Sequence, residues 1–335
     1  MPVTILVPGP MRDLCGGRGQ LTAAGATVGE VLAEVARAHP LLGARLLDES
    51  GQVRRYVGLF LGEEEVRELG GLAAPVRDGD RLSLVPAIAG GARELDGERI
   101  ARWARQLLVP GFGAAGQERL MAARVRVVGA GGQATPALLA LVQAGVGTLW
   151  IDDPETIGPG DLCGWLYLPG QVGQPRATVA AAALAGASRF VEVRPYPRGG
   201  APSATLVCAA SSAQALASAE VARRARIPHV VVELDGEAGQ VVSIPPGAPC
   251  FACARFSAAG ERPPVAGSLV LASLAAQELL RLLVEPGLVE GRRLDLVRGV
   301  PTVRATQRLP GCVCGGVAVA GAGAGGQGGL AGDGA

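Results

Sequence analysis

Residues 124–134 read Arg-Val-Arg-Val-Val-Gly-Ala-Gly-Gly-Gln-Ala, and this stretch decides the fold of the larger part of the chain. The apolar run 124–128 predicts a strand, and the glycines after it predict a tight turn that opens a helix running to Ala144. Residues 145–147, Gly-Val-Gly, then turn the chain into a second strand at 148–151. The order strand, helix, strand predicts an α/β domain with parallel strands.

The spacing Gly129-x-Gly131-x-x-Ala134 is typical of a turn that binds phosphate. Small residues let the backbone approach a phosphate, and the following helix N-terminus presents N–H donors. Asp153 follows about 20 residues later, where such folds place a carboxylate on ribose hydroxyls. Two alternatives stay open: a turn that only packs a helix on a strand, and a nicotinamide-dependent oxidoreductase, for which the sequence offers no proton donor.

The first 91 residues carry a different pattern. Thr27 and Glu30 have the spacing of a capping box and predict an amphipathic helix that ends before Pro40. Residues 78–80, Asp-Gly-Asp, predict a turn before the last strand. The four predicted strands are 3–7, 20–24, 56–61 and 82–85. Strand, strand, helix, strand, strand is the element order of a small β-grasp domain.

Composition argues against several classes of partner. The 335 residues include 31 basic and 30 acidic side chains, and only 3% are aromatic, so neither charge nor stacking favours nucleic acid. All the basic residues are arginine. The N-terminus lacks a signal-peptide pattern, and residues 267–284 predict a core helix rather than a membrane span. We therefore expect a cytoplasmic protein with no membrane and no nucleic-acid partner.

Four of the seven cysteines fall in two close pairs, Cys250-x-x-Cys253 and Cys312-x-Cys314. Four thiolates are the ligand set of a tetrahedral structural zinc site. The second pair has a one-residue spacer, and free thiols or a disulfide remain the alternatives. The sequence predicts structural zinc.

The other candidate side chains do not suggest a nucleophile or a base. Cys163 and Cys208 have apolar or small neighbours and are expected to be buried free thiols. Residues 254–268 contain no cysteine for a thioester or persulfide step. His39 and His229 lie in helix-end and strand-like sequence, and neither is expected to be a general base.

The N-terminal pattern, with its Asp-Gly-Asp turn and its Gly90-Gly91 end, resembles the MoaD/ThiS sulfur-carrier proteins, which are relatives of ubiquitin. The resemblance implies that the terminal glycine carboxylate is adenylated and then converted to a thiocarboxylate. In this chain Gly91 is joined to Ala92 by an amide, so cleavage would be needed to create that carboxylate. A flexible linker is the alternative interpretation of the two glycines.

The larger part of the chain resembles the ThiF/MoeB/HesA adenylyltransferases, relatives of ubiquitin-activating enzymes. The motifs that carry the resemblance are Arg102-Trp-Ala-Arg-Gln106, Gly116-Gln117, Gly129-x-Gly-Gly132, Ala144-Gly-Val-Gly147, Val172-Gly-Gln-Pro-Arg176, Gly239-Gln240 and Pro249-Cys250-x-x-Cys253. The resemblance implies a Rossmann-like domain that uses MgATP to adenylate the Gly-Gly end of a sulfur carrier, for example for molybdopterin or thiamin, and that acts as a homodimer.

The resemblance also assigns site residues. Arg105 corresponds to an arginine that reaches across the dimer, and Arg176 takes the position of a family lysine. The implied catalytic residues are therefore Arg105 and Arg176. The implied nucleotide-binding residues are Gly129, Gly131, Gly132, Asp153, Glu155, Asp161, Arg176 and Ser211.

This sequence departs from the family pattern at positions where the family has charged residues. The family's Asn-Leu-x-Arg-Gln is Asp161-Leu-Cys-Gly164-Trp here, so an arginine is missing, and Ala210 stands where the magnesium-associated aspartate belongs. Adenylyl transfer depends on neutralising charge on phosphate oxygens. The sequence thus predicts a catalytically degenerate domain that handles sulfur-carrier or ubiquitin-like proteins. An active ATP-dependent adenylyltransferase is the alternative.

The expected organisation has four parts. Residues 1–91 form the β-grasp domain, 92–98 a linker, and 99–314 the ThiF/MoeB-like domain. Residues 315–335 are rich in glycine and alanine and are expected to be a disordered tail.

Overall fold

Two β-sheets organise the computed structural model of this chain. It describes residues 2–54, 57–86, 95–209, 211–235, 238–254, 265–297, 300–312 and 314. A five-stranded sheet lies within the first 86 residues, and an eight-stranded sheet is built from strands between residues 124 and 305. Gly90, Gly91 and the predicted tail 315–335 lie outside the described residues.

The first sheet has the strand order β2-β1-β5-β3-β4, with β1 and β5 parallel and the other neighbours antiparallel. Its elements are β1 Pro2–Leu6, β2 Gln20–Ala24, α1 Val28–Ala38, α2 Pro40–Leu46, β3 Val57–Leu61, β4 Glu64–Glu65 and β5 Arg81–Pro86. The buried face of α1 packs over the sheet. This mixed sheet with a covering helix confirms the β-grasp prediction, while α2 and β4 were not foreseen.

The second sheet has the strand order β13-β12-β11-β10-β9-β6-β7-β8. Its strands are β6 Arg124–Val128, β7 Thr148–Asp152, β8 Glu192–Pro195, β9 Ala204–Val207, β10 His229–Asp235, β11 Ala238–Ile244, β12 Arg292–Val297 and β13 Val300–Ala305. Strands β6 to β10 pair in parallel, and β10 to β13 form an antiparallel meander. The parallel half confirms the predicted α/β fold class, a Rossmann-like domain.

Helices accompany this sheet. They are α3 Gly97–Arg102, α4 Ala104–Leu107, α5 Gly113–Ala122, α6 Thr135–Ala144, α7 Arg176–Ala185, α8 Ser212–Arg224, α9 Phe251–Ala254 and α10 Val265–Val284. The motif over residues 102–106 spans the junction of α3 and α4, which meet at Trp103. In the part of the chain that the structure describes, only α10 is long and apolar enough to cross a membrane. It packs against α6, β10 and β11, as the predicted core helix should.

Several motif residues of this domain meet at the C-terminus of α6. The Trp103 indole N–H donates to the carbonyl of the residue before Ala144 over 3.0 Å. The side-chain amides of Gln106 and Gln117 both donate to the Ala144 carbonyl, over 3.0 and 3.1 Å. Gly145 has φ +85°, and a Cβ there would lie 2.3 Å from the Trp103 ring. These contacts end α6 and hold it in place.

A buried apolar cluster joins the N-terminal sheet to the helices that precede β6. Phe60 of β3 and Val85 of β5 pack with Ile100 of α3 and with Trp103. Phe60 and Ile100 are fully buried, and a Cβ on Gly58 would lie 2.6 Å from the Ile100 Cγ2. The N-terminal domain is therefore packed directly on the helices that precede β6.

Candidate functional site

A cleft of about 520 Å³ opens where the parallel strands end. Gly129 follows β6, Asp153 follows β7, Cys208 follows β9 and Glu233 belongs to β10, and all four line the cleft. Ligands of open α/β sheets bind at this carboxyl edge. The structure places eight sequence-predicted residues together in its lining: Gly129, Gly131, Gly132, Asp153, Glu155, Asp161, Arg176 and Ser211.

The glycine turn needs its glycines for steric reasons. Gly129 has φ +87°, and a Cβ there would lie 2.2 Å from the Cys208 carbonyl oxygen. A short 3₁₀ helix over Gly132–Ala134 precedes α6, which begins at Thr135. The turn thus lies close against the end of β9 and points its backbone toward the cleft.

Two N–H groups of this turn are bound by carboxylates. The Ala130 N–H donates to the Asp153 Oδ2 over 2.7 Å, and the Gly132 N–H donates to the Asp161 Oδ1 over 3.0 Å. The Gly158 N–H donates to the second Asp161 oxygen over 2.8 Å. Donors that such a turn usually offers to a phosphate are therefore already occupied by protein groups.

Arg176 is the one basic residue that lines the cleft within the described ranges. Its Nε and Nη2 bind the Asp161 Oδ2 over 2.8 and 2.7 Å, its Nη1 binds the Glu155 carboxylate, and Nη1 lies 3.6 Å from the Asp153 Oδ2. Burial alone would lower the pKa of Arg176, but the bonds to Asp161 and the charge of Asp153 outweigh it and raise the pKa. The guanidinium of Arg176 thus forms ion pairs with three carboxylates.

Sequence reasoning missed two residues around the turn. The Tyr167 hydroxyl donates to the Ala130 carbonyl, and burial, with the nearby charges of Asp153 and Asp161, raises the tyrosine pKa. Glu233 lines the cleft and accepts a hydrogen bond from Gln240, which faces it across the β10–β11 pair. In the sequence, the Gly239-Gln240 motif was the one indication of a site residue near Glu233. No motif beside Tyr167 indicated that it contacts the glycine turn.

Other predicted site residues lie elsewhere or are already engaged. Arg105 is exposed on α4 and does not line the cleft. The Ser211 hydroxyl lines the cleft but also caps α8, accepting the Gln214 N–H over 3.3 Å. Gly90, Gly91 and Ala210 lie outside the described residues.

The expectation for one cysteine was wrong. Cys163 is exposed, not buried, at the end of the 3₁₀ turn Pro159–Cys163. Because Asp161 takes the inward position of this turn, the side chain two residues later faces solvent. Cys208 is half-buried, and burial raises the pKa of its thiol to about 12. The Cys208 thiol is therefore not activated as a nucleophile.

The two histidines lie outside the cleft lining. His39 joins α1 to α2. His229 begins β10, where burial lowers its pKa to about 4, and its Nδ1 lies 2.9 Å from the Ile227 carbonyl oxygen. The buried His229 imidazole is thus held neutral, away from the described cleft lining.

The four predicted cysteines converge next to α8. All four sulfurs of Cys250, Cys253, Cys312 and Cys314 lie within 4.8 Å of one another. The distances that join neighbouring sulfurs are 3.7, 3.6 and 3.6 Å. A tetrahedral zinc with Zn–S bonds of about 2.3 Å separates its sulfurs by about 3.8 Å, so the donor set fits that ion. The distances are too long for a disulfide.

The fold defines a protein with a Rossmann-like domain that carries an N-terminal ubiquitin-like domain. The ThiF family model matches residues 103–297, and the chain belongs to the ThiF family. The ThiS family model matches residues 5–91. Both resemblances stated from the motifs are confirmed.

Relatives match each part separately. The Mycobacterium tuberculosis sulfur carrier protein CysO is 37% identical over 93 residues, 27% of this chain and all of that protein. The Thermus thermophilus sulfur carrier protein adenylyltransferase is 41% identical over 101 residues, 30% of this chain. The chain thus spans only 37% of that relative's length. The crystal structure of Escherichia coli MccB, 17% identical with a TM-score of 0.55 over 69% of this chain and 75% of its own, shares the fold.

Proposed function

We propose that this chain is a sulfur-carrier-like domain packed on an activating-enzyme domain that handles the Gly-Gly ends of sulfur-carrier or ubiquitin-like proteins, with little adenylation of its own. One observation carries the proposal: among the described residues that line the cleft, the one guanidinium is that of Arg176, and it is bound by Asp153, Glu155 and Asp161. Adenylyl transfer requires positive groups that stabilise charge on phosphate oxygens. Here the positive group already has anionic partners.

The missing family arginine supports the same interpretation. Gly164 takes its position, and a Cβ on Gly164 would lie 2.4 Å from the Gly132 carbonyl oxygen. The backbone of the glycine turn therefore leaves no room for a side chain there. The loss of this phosphate donor is thus part of the packing, and a simple substitution would not restore it.

The organisation of the chain follows from this proposal. Residues 1–91 are the carrier-like domain, 92–98 the linker, 99–314 the activating-enzyme domain and 315–335 the tail. The carrier-like domain or a separate homologue supplies the Gly-Gly end. The protein acts in the cytoplasm as a homodimer, in which Arg105 would reach the partner's cleft.

The four-cysteine cluster would hold structural zinc. Cys250 and Cys253 are buried at α9, and Cys312 and Cys314 are half-buried beyond β13. The ion would link these two chain segments and supply no chemistry to the cleft. Its role is therefore structural in this proposal.

Pyrophosphate exchange tests the catalytic part. The full-length protein is incubated with ATP, magnesium, labelled pyrophosphate and a separate sulfur carrier that ends in Gly-Gly. We expect no exchange above the rate without protein, while a complete family enzyme in the same mixture exchanges. Binding of the carrier, measured by calorimetry, should persist and should weaken when its Gly-Gly is removed. Exchange that needs the carrier would contradict the proposal.

An active adenylyltransferase is the second candidate. The glycine turn lies against β9, and Asp153 binds it through the Ala130 N–H, which leaves a nucleotide-sized cleft in place. The Thermus thermophilus relative supports this candidate. For this candidate, pyrophosphate exchange should require either a separate carrier that ends in Gly-Gly or a fragment of this chain that ends at Gly91, and the intact mass of protein from its native host shows whether that fragment forms.

A further inference from the structure

The carboxylate of Asp161 lies where the glycine turn would hold an anion. It accepts the Gly132 N–H over 3.0 Å, the Gly158 N–H over 2.8 Å and the Arg176 Nε–H over 2.8 Å. The side chain is only 9% exposed. Two backbone N–H groups and a guanidinium are the donors that proteins commonly offer to a phosphate. The carboxylate is therefore bound as a phosphate would be.

Backbone contacts keep this carboxylate in position. A Cβ on Gly132 would lie 2.2 Å from the Asp161 carbonyl oxygen, and a Cβ on Gly164 would lie 2.4 Å from the Gly132 carbonyl oxygen. The 3₁₀ turn Pro159–Cys163 is thus packed on the glycine turn at both ends. A rotamer change of the Asp161 side chain would leave three donors without their partner, and the N–H of Gly132 among them is buried.

The charge around the cleft opposes a second anion. Its described lining carries the carboxylates of Asp153, Glu155, Asp161 and Glu233 against the guanidinium of Arg176. Unit charges of the same sign repel one another at such short range even at a protein surface. Each added phosphate therefore meets net repulsion. A ribose does not, because carboxylate oxygens such as those of Asp153 accept more than one hydrogen bond.

We propose that Asp161 is a built-in occupant of the phosphate position, so that this cleft binds an uncharged nucleoside and rejects nucleoside triphosphates. The inference rests on the proposed function, since it takes the cleft to be a nucleotide site. According to this inference, the ligand is not ATP but a nucleoside whose ribose hydroxyls bind Asp153. A complete activating enzyme must then perform any ATP-dependent step on the carrier.

Calorimetry on the full-length protein tests this with adenosine, AMP and ATP, each in magnesium and in EDTA. The dissociation constant should rise with each phosphate, and ATP should bind at least about tenfold more weakly than adenosine. Raising the salt concentration should strengthen ATP binding, because salt screens repulsion. A site that attracts phosphate shows the opposite salt dependence. This measurement needs only the wild-type protein.

Two variants isolate the carboxylate. Asp161→Asn keeps the shape and removes the charge, so ATP should bind about tenfold more tightly while adenosine binding stays unchanged. Asp152→Asn is the matched control, because Asp152 pairs with Arg126 and does not line the cleft. It should change none of the three affinities.

Each outcome has a distinct meaning. Wild-type protein that binds ATP more tightly than adenosine overturns the inference and leaves the nucleotide cleft intact. An Asp161→Asn variant that folds and gains no ATP affinity also overturns it. If none of the three ligands binds either protein, the inference is refuted, whereas the proposed function is decided separately by carrier binding in the exchange experiment.

Discussion

The cleft and the four-cysteine cluster both bring together groups that lie far apart in sequence, yet they differ in electrostatic balance. The cluster gathers four sulfurs of one kind within 4.8 Å. The cleft gathers both signs of charge, and its Arg176 is bound by carboxylates. Convergence of side chains therefore does not by itself make an open binding site.

The physical difference between the cluster and the cleft is whether protein groups compensate their charges. Four thiolates repel one another, so they are stable together only when they are protonated or share a cation. The cleft contains its own counter-charges, and each ion pair within it reduces the uncompensated charge that could attract a ligand. The cluster should thus depend strongly on a metal, whereas the cleft should be stable without a ligand.

Removing the metal should have the largest effect. Cys250→Ser takes away one of four ligands, and zinc content should fall from about one per chain to nearly zero. An ion present at 1,000 times its dissociation constant stabilises by about 4 kcal/mol, so the melting temperature should fall by roughly 10 °C. Elemental analysis and thermal unfolding measure both. Cys163→Ser is the control, because Cys163 is exposed and outside the cluster. Wild-type protein with far less than one zinc per chain would contradict the prediction.

Acid should destabilise the protein through His229, which begins β10 and lies near Arg223 and Glu220. Its pKa is about 4 in the folded state, below the value of about 6.5 for an unfolded chain. Between these values the unfolded state binds more protons, so stability falls with pH from about 6.5 to 4, by up to about 3 kcal/mol. Urea unfolding across this range measures the slope, and His229→Gln should flatten it. Equal slopes in both proteins would refute the assignment.

Adding a methyl group to the glycine turn tests how closely the cleft is packed. In Gly132→Ala the new Cβ would lie 2.2 Å from the Asp161 carbonyl oxygen, which should cost about 1–3 kcal/mol of unfolding free energy. Gly160→Ala is the matched control, because Gly160 also lines the cleft and a Cβ there meets nothing within 4 Å. Its effect should stay within about 0.5 kcal/mol. Urea unfolding that shows equal losses would mean that the turn is not packed on Asp161.

The smallest effect is expected when the charge of Arg223, which lies beside the cysteines, is removed. Glu220 binds both Arg223 and Arg224, but it is Arg223 whose charge interacts with Cys250 and Cys314. Arg223→Gln should speed release of zinc to a chelator by up to about tenfold. Arg224→Gln removes an equal charge from the same partner and should leave release unchanged. Similar rates in the two variants would exclude a specific role for Arg223.

Local patterns in the sequence predicted much of this architecture. The glycine turn, Asp153 and the cysteine pairs follow from spacing within one or two elements, and the structure brings their residues together. The exposure of Cys163 was not predictable, because it depends on which residue of a 3₁₀ turn faces inward. Tyr167 was missed for a similar reason, since its partner Ala130 is 37 residues away.

The sequence by itself determined the main elements of the β-grasp domain, the first strand–helix–strand unit of the larger domain, the resemblance to carrier and activating-enzyme families, and the loss of an arginine at Gly164. Only the tertiary structure decided that Asp161 binds Gly132 and Arg176, and that Phe60 packs on Ile100. The reason is physical. Hydrophobic periodicity and turn chemistry act over a few residues, whereas charge balance and packing depend on distances between segments that meet only in the folded chain.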